Sequence, residues 1–363
     1  MKVTIMGPDE RTGGIGSYTH DLASKFGDSV EINLSTFPNG GMNILKYILS
    51  VTYSFRSDSE VIHIQHEYAL FGPFSIISWL FFPLVYILSK IYKKKVVITL
   101  HEVLNPDLVG DYWIKSVYIY LINKLIAKSS DHIIFLSDTA EERFANHSVS
   151  YSVLSHGANL DVPKTSEIEA KKQFGYSAEQ TLIVEPGYVV PRKGSHIMRD
   201  LASELDEYEF LLAGGSPEKH QQYCDKIKEN SPQNLYITGF LEQDQFHLSF
   251  RAADLVLLPY TGTEQQGVLN QVNQSGVLNK CASHSVPVAA SNQKYFKKLK
   301  ERYSCVEIFD VNDLEDIKST VKSILKDAQK RKNLSAAINE YANKNSFSHI
   351  ANKHSELYHN LVE

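Results

Sequence analysis

The residues able to do chemistry fall in short stretches that directly follow apolar runs. In GPDERTGGIGSYTHDLA, Gly13, Gly14 and Gly16 stand between a strand-like run and a helical pattern. Backbone N–H groups and a helix N-terminus would face whatever binds there, an arrangement that suits an anion. The dinucleotide fingerprint is not met: Gly14-x-Gly16-x-x reaches Thr19 only after a six-residue gap from the strand. Nor does an acidic residue clearly end the next strand to hold a ribose. His63-Ile-Gln65-His66-Glu67 and His101-Glu102 close two further apolar runs. In a strand His63 and Gln65 share one face and His66 takes the other, so this HxxH does not converge on a metal and no metal site is expected. His101 ends the run VVITL, where a side chain would project from the strand.

Two stretches of the second half invite a phosphorylated ligand. TLIVEPGYVVPRKGSHIMRDLASEL places Gly187 and then Arg192, Lys193 and Gly194 between a strand and a helix. A helix dipole with two cations suits a diphosphate. It is not a Walker loop, because G-x4-G-K-[ST] is absent. Further on, Gly-Val-Leu-Asn occurs twice, at residues 267–270 and 276–279, with Glu264 just before the first copy. Gly267, and Ser275, Gly276, Val277 and Lys280 around the second copy, form a polar, glycine-containing lead into a helix. A nucleotide ribose and phosphates require such a lead.

The elements that must position these residues follow from patterning. Six candidate strands in the first half (KVTIMG, VEINLS, VIHIQHE, VVITLHE, HIIFLS, YSVLSHG) and six in the second (TLIVEPGY, EFLLAGG, NLYITGF, LVLLPY, VPVAAS, VEIFD) alternate with helical patterns. Continuous apolar strands separated by helices predict parallel sheets covered on both faces. Two such sets predict an α/β chain of two doubly wound domains facing across a cleft, with ligands at the carboxyl ends of the strands. The polar stretch with Pro163 places the linker near residues 160–170.

The 363 residues suit two domains, and 43% apolar with 22% charged residues rules out disorder. A net charge of −5 excludes a long polyanionic partner such as nucleic acid, although it allows a small anionic ligand. Three cysteines without a CxxC exclude a disulfide framework or a zinc knuckle. The N-terminal MKVTIMG enters a strand-like run without a signal peptide, so the cytoplasm is expected. Residues 74–91 read FSIISWLFFPLVYILSKI and lead into three further lysines. The length reaches the lower limit for spanning, but Pro83 weakens that reading and the flanking strands favour a buried crossover helix. Docking of its basic end on the inner face of a membrane is the second reading.

Together these loops resemble the family-4 retaining glycosyltransferases, sugar-nucleotide enzymes of the two-Rossmann GT-B architecture. The likeness spans nearly the whole chain: GGIGSYTHDLA, HIQHEYALFG, TLHEV, DHIIFLSDTAEERF, VLSHGANLD, GYVVPRKG and NLYITGFLEQDQFHLSFRAADLVLLPY occur in the family's order. FSHIANKHSELYHNL is similar to its closing helix, which crosses back to the first domain. The resemblance implies an acceptor-binding Rossmann-like domain over 1–165, a donor-binding one over 166–340, and a returning helix over 341–363. It implies a nucleotide-diphosphate sugar (UDP- or GDP-linked) as substrate and no separate cofactor. His101, Lys193 and Glu264 would be catalytic. Gly14, Gly16, Gly187, Arg192, Lys193, Gly267, Ser275, Gly276, Val277 and Lys280 would hold the donor, and Gly14, His66 and His101 would face a glycan or lipid-linked acceptor. The sequence departs from the family at Tyr188, where an arginine is usual, and at Val272, which stands eight residues after Glu264 in place of a second glutamate. A catalytically impaired nucleotide-sugar-binding protein, and an epimerase or phosphorylase of the same fold, are the alternatives.

Overall fold

The computed structural model describes residues 1–9, 13–108, 113–144, 148–261, 264–265, 268–269 and 272–363, with backbone only at 108, 264–265 and 268–269. Contacts divide the chain into one unit of Met1–Gly157, Val268 and Asn345–Glu363 and a second of Ala158–Gln265 and Leu269–Lys344.

In the first unit, β1 (Lys2–Gly7), β2 (Glu31–Thr36), β3 (Val61–His66), β4 (Lys95–Leu100), β5 (His132–Phe135) and β6 (Ser150–Val153) form a parallel sheet ordered β2-β1-β3-β4-β5-β6. Every residue of β3 is buried, as a strand covered by helices on both faces requires. The C-terminal helix Phe347–Val362 packs against the helix Gly14–Ala23 that follows β1. Its Phe347 ring lies where Gly157 has no side chain, and a Cβ there would meet the ring at 2.3 Å.

The second unit holds β7 (Leu182–Pro186), β8 (Glu209–Ala213), β9 (Leu235–Ile237), β10 (Leu255–Leu258), the two-residue strand β11 (Glu264–Gln265), the Leu269 end of β12 (Val268–Leu269), then β13 (Val288–Ser291) and β14 (Glu307–Phe309). Its main sheet runs β14-β13-β10-β7-β8-β9, all parallel. The strand order reverses between β7 and β10, and loops after the strands at such a switch point are where doubly wound sheets bind ligands.

The apolar segment after β3 is the crossover helix Ser78–Tyr92 between β3 and β4, but it is not wholly buried. Phe81, Phe82, Val85 and Leu88 enter the core, while Trp79, Leu80, Ile87 and Ile91 stay exposed. It lies in the outer layer, and the sheet covers one stripe only. Among the described residues no helix is long and apolar enough to cross a membrane.

Candidate active site

In the second unit the loop after β7 builds a cation pocket. Gly187 has φ +107, a conformation only glycine adopts without strain, and a Cβ there would meet Lys193 Nζ at 2.3 Å. The loop then turns through Pro191–Lys193 into the helix Ser195–Glu204, whose N-cap Gly194 (φ +78) has no side chain to cap it, while Tyr223 Oη accepts from His196 N at 3.0 Å. Gly194 is obligatory, since a Cβ there would stand 2.0 Å from the Pro259 carbonyl oxygen. Lys193 is only 6% exposed. Its Nζ donates to the Pro186 carbonyl at 3.1 Å and lies 5.5 Å from the centroid of the buried Tyr260 ring. Burial lowers the Lys193 pKa, which Glu185 opposes and Arg192 reinforces.

Glu185 is the site residue that the sequence reading passed over. It lies on β7 two residues before Gly187 and is buried. Oε1 accepts from Ser195 Oγ at 2.6 Å, and Oε2 is buried with no partner. Burial raises its pKa, against the Ser195 hydrogen bond and the nearby Lys193 charge. The signal was present in TLIVEPGY: a lone carboxylate inside an apolar strand must face a partner.

The loop preceding the helix Gly276–His284 completes this end. Ser275 Oγ caps that helix by accepting from Leu278 N at 3.2 Å and lies 3.3 Å from Tyr260 Oη. Val277 Cγ2 would lie 3.6 Å from a Cβ on Gly187, so Gly187, Lys193, Ser275 and Val277 come together. Gln274 carries a buried Oε1 without a partner. Gly276 opens the helix and Lys280 stands one turn on, half-buried. Arg192 is exposed at the rim of the loop, and its carbonyl accepts from Thr261 N at 3.0 Å. Tyr188 is half exposed, its ring edge-on to Phe240 at 6.1 Å. Gly267 and the side chain of Glu264 lie outside the described residues.

In the first unit the ends of β3 and β4 carry a neutral hydrogen-bond chain. Parallel register sets Gln65 opposite Thr99 and His63 opposite Val97. His101 Nε2 lies 2.8 Å from Gln65 Oε1, an acceptor, so this nitrogen donates. Gln65 Nε2 donates to His63 Nε2 at 3.2 Å, and Thr99 Oγ1 donates to the same nitrogen at 2.7 Å. His63 Nδ1 therefore carries the proton, which faces Tyr358 Oη on the C-terminal helix. Burial lowers the pKa of His101 and of His63, and neighbouring histidines add to the effect. With Nε2 committed to Gln65, neutral His101 keeps Nδ1 as an acceptor for a ligand hydroxyl. Tyr18 sets its ring edge-on to His101 at 4.8 Å, with its own hydroxyl buried and unpartnered.

Gly14 and Gly16 open the helix behind Gly13 (φ +109), and no side chain caps that helix. The structure does not bring His66 to the face of His101. Its ring is fully buried, stacked on Phe71 at 5.2 Å and edge-on to Tyr68 at 4.9 Å, and both ring nitrogens lack partners. Burial pushes its pKa down to about 3. A separate open groove in this unit is lined by Asp9, Thr36, Asn39, Lys46 and Tyr53. Among the described residues no group of three or more His, Cys, Asp or Glu could hold a metal ion.

HepE of Anabaena, solved with UDP-glucose, superposes with a TM-score of 0.76 at 16% identity over 99% of this chain and 100% of that one. WaaG, a glycosyltransferase involved in lipopolysaccharide biosynthesis, gives 0.67 at 15% identity over 98% and 99%. The chain has the GT-B glycosyltransferase fold. Within that fold, the Lys193 pocket and the His101 chain each lie at strand ends of one Rossmann-like sheet. No family model matches the chain. The alpha-galactosylglucosyldiacylglycerol synthase of Streptococcus pneumoniae (strain ATCC BAA-255 / R6) is 31% identical over 103 residues, 27% of this chain and 27% of that protein. The match thus spans about a quarter of that relative's length.

Proposed function

We propose that the protein is a retaining, metal-independent glycosyltransferase. It moves a sugar from a nucleotide-diphosphate donor to a hydroxyl of a glycan or lipid-linked acceptor, in cell-surface polysaccharide or glycoconjugate synthesis. The observation that carries this reading is the buried Lys193, held against Gly187 beside the N-terminus of the helix Ser195–Glu204. A buried ammonium beside a helix N-terminus supports binding of a diphosphate, and stabilising the charge that grows on it is the largest single catalytic effect available.

The bond between the anomeric carbon and the diphosphate oxygen breaks, and a bond from the acceptor oxygen forms on the same face. The acceptor proton passes to the departing phosphate, so no protein base is needed. Lys193, Arg192 and the amides of the helix Ser195–Glu204 neutralise the leaving group. His101 accepts from a hydroxyl of the transferred sugar near its anomeric carbon. These cations supply the charge that a metal supplies elsewhere, and Asp-x-Asp occurs nowhere in the chain. The UDP-glucose complex of HepE makes UDP the first nucleotide to try, and the glycolipid product in the relative's name supports a lipid-linked acceptor.

A thermal-shift panel of nucleoside diphosphates with chelator present tests donor binding. A ligand at about 100 times its Kd should stabilise the protein by about 2.7 kcal/mol. Transfer from the selected sugar nucleotide, with the anomeric configuration of the product read by NMR, tests the chemistry. Tight binding without transfer or slow hydrolysis would establish a binding protein instead, and inversion would overturn the retaining mechanism.

A further inference from the structure

The first unit carries an apolar face that its own fold leaves uncovered. On the helix Ser78–Tyr92, Trp79, Leu80, Ile87 and Ile91 recur at helical spacing on the side away from the core. On the adjacent helix Trp113–Lys128, Trp113, Ile114, Val117 and Leu121 do the same. The two stripes join: Trp79 Nε1 donates to Tyr118 Oη at 3.0 Å, and Tyr118 Oη donates to the Phe74 carbonyl at 2.8 Å. That second bond anchors a turn in which Phe74 (φ +53) and Ser75 (φ +58) take the left-handed conformation, costly for side chains of this size. The turn holds the Phe74 ring 83% exposed, and Trp113 is 71% exposed.

Charge identifies what covers this face. Residues 68–95 and 113–130 contain seven lysines and no Asp or Glu. Lys90 and Lys128, one from each helix, converge on the Tyr86 ring at 5.4 and 5.8 Å, with Lys93 and Lys124 exposed nearby in sequence. A second copy set against the face would oppose lysine to lysine with no carboxylate to neutralise them. An anionic partner with an apolar interior satisfies both stripes and cations, and aromatic rings favour the boundary between headgroups and acyl chains.

We propose that the exposed faces of the helices Ser78–Tyr92 and Trp113–Lys128, with Phe74 and Trp113 as inserted side chains and Lys90, Lys93, Lys124 and Lys128 as the cationic rim, dock the protein on an anionic phospholipid bilayer without spanning it. The proposal extends the membrane contact expected of residues 74–95 to a second helix. It does not depend on the sugar-transfer reading.

The chain's two tryptophans, Trp79 and Trp113, both lie on this face, so intrinsic fluorescence reports its occupancy directly. The full chain is mixed with vesicles of phosphatidylcholine alone or of equimolar phosphatidylcholine and phosphatidylglycerol. A blue shift and co-sedimentation with the anionic vesicles, reversed by salt, are expected. The Lys90→Glu/Lys93→Glu/Lys124→Glu/Lys128→Glu variant should bind more than about a hundredfold more weakly. Phe74→Ser/Trp113→Ser should also lose binding, with Trp79 still reporting and the melting temperature unchanged. Equal binding to both vesicle types, or none to either, overturns the proposal. So does a concentration-dependent dimer in sedimentation velocity that the Phe74→Ser/Trp113→Ser variant abolishes, since that assigns the face to a second copy.

Discussion

The two sheets bury polar groups at their strand ends in different currencies of charge. At the ends of β3 and β4 the buried groups are neutral: His101, Gln65, His63 and Thr99 pass hydrogen bonds along one face, and burial keeps the rings unprotonated. At the end of β7 they are ionisable with opposite signs, Lys193 and Glu185, each shifted by burial toward its neutral form and each restrained by the other. A neutral network suits the hydroxyls of a sugar or acceptor, which exchange hydrogen bonds without charge. An ammonium with a nearby carboxylate suits a ligand whose own charge changes, because a diphosphate can take over the role of counter-ion.

The sharpest way to break this contrast is Lys193→Ala. Turnover should fall by roughly a hundredfold to a thousandfold, the scale for losing a preorganised charge-stabilising group, with the melting curve intact. Near-normal turnover would end the role assigned to Lys193.

Gly187→Ala comes next. At φ +107 the new methyl group would be strained and would displace Lys193 Nζ, so nucleotide affinity should drop by at least about tenfold. A calorimetric titration with UDP reads this, and an unchanged Kd would show the loop to be unrelated to the donor.

His101→Ala should lower turnover about tenfold, the worth of one neutral hydrogen bond, and leave the nucleotide Kd unaltered. Gln65→Ala, which frees the His101 ring without removing it, should give a smaller loss of the same kind. If either change acts on Kd alone, the neutral chain serves no part of the sugar.

Smallest are the opposed pH responses of the two units. His354, on the returning helix, has its pKa lowered by burial to about 4 against an ordinary value of 6.5. With the folded value depressed, the unfolded chain takes up the proton first. Stability is then full above 6.5 and is lost as pH falls below it, by about 1.4 kcal/mol at about pH 5.5 for this residue. His63 and His101 shift in the same direction. Both tryptophans belong to this unit, so melts followed by tryptophan fluorescence should drop from pH 7 to 5.5. In the second unit only protonated Lys193 can neutralise a diphosphate, and its lowered pKa makes nucleotide affinity weaken as pH rises through about 8. Affinity constant to pH 9 would contradict a charged role for Lys193.

Much of the fold was legible because both kinds of periodicity are strong. The twelve apolar runs became the twelve strands of the two main sheets, since parallel strands covered on both faces leave polar residues few places inside. Gly187, Gly194 and Lys193 stood out in the sequence for a related reason: glycines and cations between a strand and a helix have few structural uses. Glu185 was missed because strand alternation tells which face a residue takes, not which side chain from a later turn will meet it. His66 sat in a motif beside useful histidines, yet the same alternation sends its ring into the aromatic core.

Local chemistry alone therefore determined the doubly wound class and the apolar, lysine-rich segment after β3. Tertiary packing decided the rest, because it fixes contacts between residues far apart in sequence. It brought Tyr358 to His63 from 295 residues away and set Phe347 against Gly157. It placed the helix Trp113–Lys128 beside Ser78–Tyr92, and so turned a segment read as buried into half of an uncovered, positively charged face.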